Sequence, residues 1–315
     1  MDAPGENLLI KLWDTITERG IGSLLKPWQM RREGKAAVDV QRETLLALAQ
    51  ADMDVAAIRA GTKVLLADGK LVALPNSSPG NPDAAVSPLL PNLAGASMRR
   101  AAAETLRQEV SVSRAIAYAE GELAQESQET PQENVNEDWL LRWRENASAI
   151  SSNELQLIWG KVLAGEVKSP GAFSLRTLEF LRNISRDDAT LIEKLAPYVI
   201  AQFVVRPEPP NSSVGALDFT RLMLLQELGI LSSVEAVGLT THISSVVEGA
   251  FVRTLLCHGR VLVVRHDDAA KILSIPIYIV TRLGTEILQL GWKQADEDCR
   301  GLICLDTSIG GKSTI

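Results

Sequence analysis

Leu8, Leu9, Leu12, Trp13 and Ile16 recur at a spacing that gathers them on one face of a helix opening the chain. A shorter piece, Ile21, Leu24, Leu25 and Trp28, repeats that spacing after Gly20 and Gly22 and across Pro27. From there to about residue 60 the chain is rich in helix formers, with Leu45, Leu46 and Ala49 as the expected buried stripe. The period changes at residues 63–74, where two apolar runs flank Asp68-Gly69. That pair supplies the positive φ angles of a tight type I′ turn, so a β-hairpin is expected, with helix as the competing reading of so many Leu and Ala. Pro75, Pro79, Pro82, Pro88 and Pro91 then remove backbone donors and disfavour helix before each of them, which predicts a linker over 75–97. A long helix is expected over 98–127 on Ala102, Leu106, Val110, Val112, Ile116, Ala119 and Leu123, followed by a polar break at 125–137.

Three capped helices are expected next. Ser151 with Glu154 fits a capping box ahead of Leu155, Ile158, Trp159 and Val162. Ser174 caps a second helix on Leu178 and Leu181. Ser185 with Asp188 boxes a third, carrying Leu191, Leu195 and Ile200. Short connections make these a compact bundle. After a Pro-rich break at 206–214, residues 219–228 read as a helix ended by Gly229. The Val- and Ile-rich stretches 251–256, 260–265 and 272–280 read as strands, and 281–290 as a last helix. Helix, strands, then Val-Thr-Arg-Leu-Gly-Thr-Glu-Ile-Leu has a winged-helix-like rhythm. The expected fold is therefore mainly α with a small α+β part: an N-terminal amphipathic helical region with a hairpin (1–74), a linker (75–97), a central helical bundle (98–205), a C-terminal winged-helix-like unit (206–294) and a tail (295–315).

Composition narrows the function classes. At 315 residues, 46% apolar and 23% charged, the chain has ample material for more than one core. A formal net charge of −7 disfavours non-specific nucleic-acid binding, which depends on Lys and Arg neutralising phosphates. No apolar run approaches the roughly 20 residues that span a bilayer, and residues 1–12 lack the basic leader of a signal peptide. Cys257, Cys299 and Cys304, odd in number and late in the chain, imply no disulfide framework and fit a reducing, cytoplasmic compartment.

The central block also carries a resemblance. Ile158-Trp159-Gly160-Lys161-Val162-Leu163-Ala164-Gly165-Glu166, then Ser169-Pro170-Gly171, Ser174-Leu175-Arg176-Thr177-Leu178 and Ile184-Ser185-Arg186-Asp187-Asp188-Ala189 resemble an uncharacterised bacterial domain-of-unknown-function family. They are similar, more distantly, to the abortive-infection Abi-alpha proteins, as is Gly20-Ile21-Gly22-Ser23-Leu24-Leu25-Lys26-Pro27-Trp28. The resemblance implies a bacterial cytosolic protein associated with defence against phage, and it transfers no catalytic residue.

Residue by residue, no motif calls for a cofactor or a metal. Gly311-Lys312-Ser313 has Asp306 where a phosphate-binding loop needs glycine, and a helix must follow to present its amides. Cys299 and Cys304 have only Cys257-His258 as a second pair, and adjacent strand side chains point to opposite faces. His266-Asp267-Asp268 between two strands reads as turn chemistry. The main candidate surface is N-terminal: Leu8, Leu9, Leu12, Trp13, Ile16 and Trp28, beside the cations Arg31, Arg32 and Lys35, suit either a partner protein or an anionic membrane surface. The helix at 219–228 carries Arg221 against Asp218 and Glu227, so a groove-reading helix is the weaker alternative. The expectation is a non-enzymatic defence or regulatory protein working through protein–protein contacts or as a homo-oligomer, with peripheral membrane attachment as an option. The alternative is a nucleic-acid-binding regulator using the C-terminal unit.

Overall fold

A computed structural model describes residues 5–18, 37–65, 71–73, 89–207, 212–235, 239–257, 260–291 and 313–314. The chain divides into two compact units, Met1–Leu178 and Glu179–Ile315. The first holds α1 (Glu6–Glu18), α2 (Ala37–Arg59), β1 (Lys63–Leu65), β2 (Leu71–Ala73), α3 (Leu89–Leu123), α4 (Glu137–Ala149) and α5 (Asn153–Lys168). The unit boundary falls inside α6 (Leu175–Asn183).

In the first unit α3 is the spine against which α1, α2, α4 and α5 all pack. Its crossing with α5 is close because Gly160 has no side chain. A Cβ there would lie 2.6 Å from the Tyr118 Cβ and 2.8 Å from the Ala115 carbonyl oxygen. Small residues line the same contact, Ala115, Ala119 and Ala164 being fully buried with Ile116, Trp159 and Leu163 around them. Arg114 ties three helices: its guanidinium donates to Asn153 Oδ1 (3.0 Å) and Gln156 Oε1 (3.2 Å) on α5 and pairs with Asp52 on α2.

The turn after α5 is held by a buried carboxylate. Glu166, 1% exposed, accepts from the amides of Gly171 (2.7 Å) and Phe173 (3.0 Å). Gly171 supplies the positive φ (+86°) this turn needs, and Gly165 lets the Phe173 ring lie on α5, where a Cβ would stand 2.5 Å from it. Two indoles complete the packing: Trp139 Nε1 donates to the Phe173 carbonyl (2.7 Å) and Trp143 Nε1 to the Trp159 carbonyl (3.0 Å).

The second unit contains α7 (Arg186–Leu195), β3 (Val199–Ile200), β4 (Phe203–Val205), α8 (Phe219–Glu227), β5 (Leu231–Ser232), β6 (Thr240–Ile243), β7 (Phe251–Cys257), β8 (Arg260–His266), β9 (Leu273–Val280), α9 (Arg282–Gly291) and β10 (Ser313–Thr314). β9 is the shared strand of an antiparallel sheet ordered β3-β4-β9-β5, with β6 also on β9, while β7, β8 and β10 form a second antiparallel sheet. Ile243, Phe251, Ile275 and Ile277 make the core between these strands, with Leu255 and Val264 packed on it. α7 packs against α8 and α9.

The mainly helical fold with a small antiparallel β part agrees with the pattern of the chain, and so does the pairing of 63–65 with 71–73. Its register, Lys63 with Ala73 and Leu65 with Leu71, is not that of a two-residue turn at Asp68-Gly69, residues that lie outside the described ones. Four expectations need correction. Leu46 and Ala49 are exposed and α2 buries Leu48, Val55 and Ile58 instead, the last two packed with Ala103 of α3, while the Leu45 side chain lies outside the described residues. The linker is shorter than 75–97, because α3 starts at Leu89 and takes in Pro91 within its first turn, where the missing N–H has no helical partner to lose. Ser151 does not box α5: Ser152 is its N-cap, and Ser151 Oγ accepts from Arg107 (3.3 Å). The three capped helices do not make one bundle, since α5 packs on α3 and α7 on elements of the second unit, so the division lies at 178/179 instead of 205/206. Ser185–Asp188 does form the expected box.

Two substitutions test this packing. Gly160→Val should lower the unfolding free energy of the full chain by about 2 kcal/mol, as overpacking at a tight contact does. Glu166→Leu should cost about 3 kcal/mol by stranding two amides, with Glu166→Gln in between. Urea titration followed by circular dichroism measures both.

Candidate binding cleft

The N-terminal candidate surface faces inward. Leu8, Leu9, Leu12, Trp13 and Ile16 are all buried, Leu8 and Leu12 completely, and α1 packs on α3 and α5. The Trp13 indole donates to Glu120 (3.4 Å), and Gly5 (φ +80°) brings the chain onto the Leu123 carbonyl oxygen, 2.2 Å from where a Cβ would be. The amphipathic face that suited a lipid surface is therefore core, the commoner fate of such a face. Trp28, Arg31, Arg32 and Lys35 lie outside the described residues. Beside α1 is a cavity of about 560 Å³ lined by Lys11, Asp14 and Glu129 among others, but the Lys11 ammonium is taken up by the carbonyls of Pro131 and Glu133.

The His266-Asp267-Asp268 segment is a turn: the Asp268 amide donates to His266 Nδ1 (3.0 Å) and the Ala270 amide to Asp268 Oδ1 (2.9 Å). Among the described residues no group of three His, Cys, Asp or Glu is placed to hold a metal ion. Cys299, Cys304 and residues 306–312 lie outside the described residues.

A different site emerges in the second unit, a cleft of about 670 Å³. One end is the β3–β4 turn. Ala201 adopts φ +52° there, a left-handed conformation costing an alanine roughly 1–2 kcal/mol, and the turn is tied down by the Val280 amide donating to the Gln202 carbonyl (3.0 Å). Gln202 and Phe203 also line the cleft there. A second wall is β6, from which Thr241, His242 and Ile243 contribute, with Ser244 just after it. Arg253 and Leu255, two apart on one face of β7, form the third, and Thr285, Leu288 and Gln289 of α9 the fourth.

α9 is set in place by its first turn. Thr281 Oγ1 donates to the Gly229 carbonyl (2.5 Å) and accepts from the Gly284 amide (3.0 Å), while the Thr281 amide donates to the Ile230 carbonyl (3.0 Å). Gly284 is needed because a Cβ would lie 2.4 Å from that Ile230 oxygen. The Thr-Arg-Leu-Gly stretch is thus the joint between α9 and the end of α8.

Electrostatically the cleft is simple. Arg253 is the one Lys or Arg among the residues lining it, and none of them is acidic. Among the described residues Arg253 makes no ion pair. His242 Nδ1 is hydrogen-bonded to Ser274 Oγ (2.9 Å), its cross-strand partner. Burial raises the Tyr278 phenol above its ordinary value, opposed by the nearby Arg206, but Tyr278 does not line the cleft. Sequence reasoning missed this site because β3, β4 and β6 are too short to announce themselves by alternation.

Residues 96–208 match DUF2806, a family described as a protein of unknown function. No curated protein and no solved structure matches the chain. The DUF2806 match takes in the Gly160 crossing, the Glu166-held turn and the β3–β4 turn. It ends before β6, β7 and α9, which supply the rest of the cleft. No helix among the described residues is long and apolar enough to cross a membrane.

If Thr281 positions the α9 wall, Thr281→Ala should destabilise the chain by about 1–2 kcal/mol, the range for losing an N-cap hydroxyl. Thr281→Ser should recover most of it in the same urea titration.

Proposed function

We propose that this chain is a non-enzymatic bacterial defence or regulatory protein that acts by binding another protein, with the cleft of its second unit as the contact surface. The observation that carries the reading is the make-up of that cleft: apolar walls from Phe203, Ile243, Leu255 and Leu288 with a few fixed polar groups and one cation. Interfaces that recognise peptide segments have this composition, apolar contact supplying affinity and sparse polar groups supplying orientation. The resemblance of the 158–189 block to Abi-alpha proteins supports the setting in bacterial defence, and a cytoplasmic location goes with it.

The alternative partner, nucleic acid read by a winged-helix-like second unit, draws less support. Binding of that kind rests on several phosphate contacts. The cleft lining holds a single arginine in a chain of net charge −7.

Ser244 is exposed at the cleft, so Ser244→Trp fills it without disturbing the core. Full-length wild type and variant, purified in parallel from a bacterial host, should differ in one respect: a protein recovered stoichiometrically with wild type is recovered about tenfold less with the variant. Equal recovery by both, or recovery of nucleic acid in place of protein, overturns the reading.

A further inference from the structure

β6 has an open edge. Among the described residues it pairs with β9 alone, in the register Thr241↔Ile275 and Ile243↔Leu273. The Leu239 carbonyl accepts from the Ile277 amide (3.1 Å), which fixes the phase of the ladder. Main-chain groups of successive residues in an antiparallel strand point to opposite sides. Thr241 and Ile243 therefore address β9, and the amides and carbonyls of Thr240 and His242 point away from it.

That free edge runs along the cleft. Side chains alternate across a strand, so a strand presenting one face lines a cavity with every second residue. Here three successive strand residues, Thr241, His242 and Ile243, line it, as expected when the edge itself is presented. The His242 ring is held back on the sheet by Ser274 Oγ at 2.9 Å. Across the cleft stands Arg253, with no carboxylate among the lining residues to neutralise it. In a chain carrying 39 Asp and Glu against 32 Lys and Arg, such a cleft is locally of opposite sign to the whole.

We propose that β6 takes up an extended acidic peptide segment by strand addition, the segment's carboxylate meeting the Arg253 guanidinium and its alternate side chains resting on Ile243 and Leu255. This rests on the reading of the cleft as a protein-contact surface and names the partner's chemistry. Main-chain pairing supplies affinity in such complexes and the flanking pockets supply selectivity. Charge complementarity points to an acidic segment, and the main-chain edge distinguishes a peptide from a free anion.

The test uses the full-length chain and a fluorescent derivative of the peptide acetyl-Thr-Val-Thr-Glu-Thr-Val-Thr-amide, followed by anisotropy. Saturable binding is expected. It should weaken about tenfold when the central Glu is replaced by Lys, and by a similar factor in Arg253→Gln. N-methylation of alternate peptide amides should abolish it. His242→Pro should do the same, because a proline there removes an outward N–H and leaves the β9 ladder intact, so its melting temperature stays with wild type. If His242→Pro unfolds, the N-methylated peptide decides the question.

No saturable binding, equal binding of the N-methylated peptide, or indifference to Arg253→Gln each overturns strand addition. Displacement by glutamate or inorganic phosphate alone assigns the site to a small anion, and displacement by a single-stranded oligonucleotide assigns it to nucleic acid; either result overturns it too. The two readings fail separately. If the peptide arms fail while Ser244→Trp still loses its protein partner, strand addition is wrong and the protein-contact reading stands. If Ser244→Trp keeps that partner, the protein-contact reading falls.

Discussion

The first unit depends on how near α3 and α5 come to each other. At Gly160 the two backbones approach until a Cβ would stand 2.8 Å from the Ala115 carbonyl oxygen. Only a residue without a side chain satisfies that distance, and the buried alanines on either helix keep the contact close along its length. Close approach maximises dispersion contact per residue, and it determines where the two indoles of α4 reach. Trp143 donates to the carbonyl of Trp159, the residue before Gly160, so the position of α4 follows from that of α5. Arg114 then fastens α2 to the same pair of helices through Asp52, Asn153 and Gln156.

The second unit solves a different problem with a similar device. β9 is bonded by β4 on one side and by β5 and β6 on the other, so its residues settle the register of most of the sheet. The chain then turns directly into α9 at Thr281. Gly284 and Thr281 together let the first turn of α9 sit on the carbonyls of Gly229 and Ile230, in the turn after α8. Thr281 donates to both of them. The cleft is the by-product of this joint: α9, the β3–β4 turn, β6 and β7 surround a space that none of them fills.

The resemblance in the central block now has a physical content. Trp159, Gly160, Gly165, Glu166 and Gly171 are the residues that resist substitution on structural grounds: an indole carbonyl contact, a helix crossing, a ring contact, a buried carboxylate and a positive φ. A block recognisable in this way reports how the domain folds. The β6, β7 and α9 walls of the cleft lie later, beyond the residues that match the family.

By itself the sequence determined most of what depends on local spacing. The helical stripes of α1, α3, α5 and α9, the pairing of β1 with β2, the Ser185–Asp188 box and the strands β7, β8 and β9 all follow from period and capping chemistry. α4 escaped notice because Trp139 and Trp143 mark its face among many charged neighbours, and β3 to β6 because strands of two to four residues carry too few alternations. Tertiary structure decided what each stripe faces. The Leu8–Ile16 stripe could have met lipid, a partner or its own core, since all three reward apolar area alike, and the cover supplied by α3 and α5 chose the core. Likewise, nothing near Arg253 or His242 in sequence marks a cleft. Its walls come from residues 199–203, 241–244, 253–255 and 280–289, and only the pairing of β4 and β6 with the same strand brings them together.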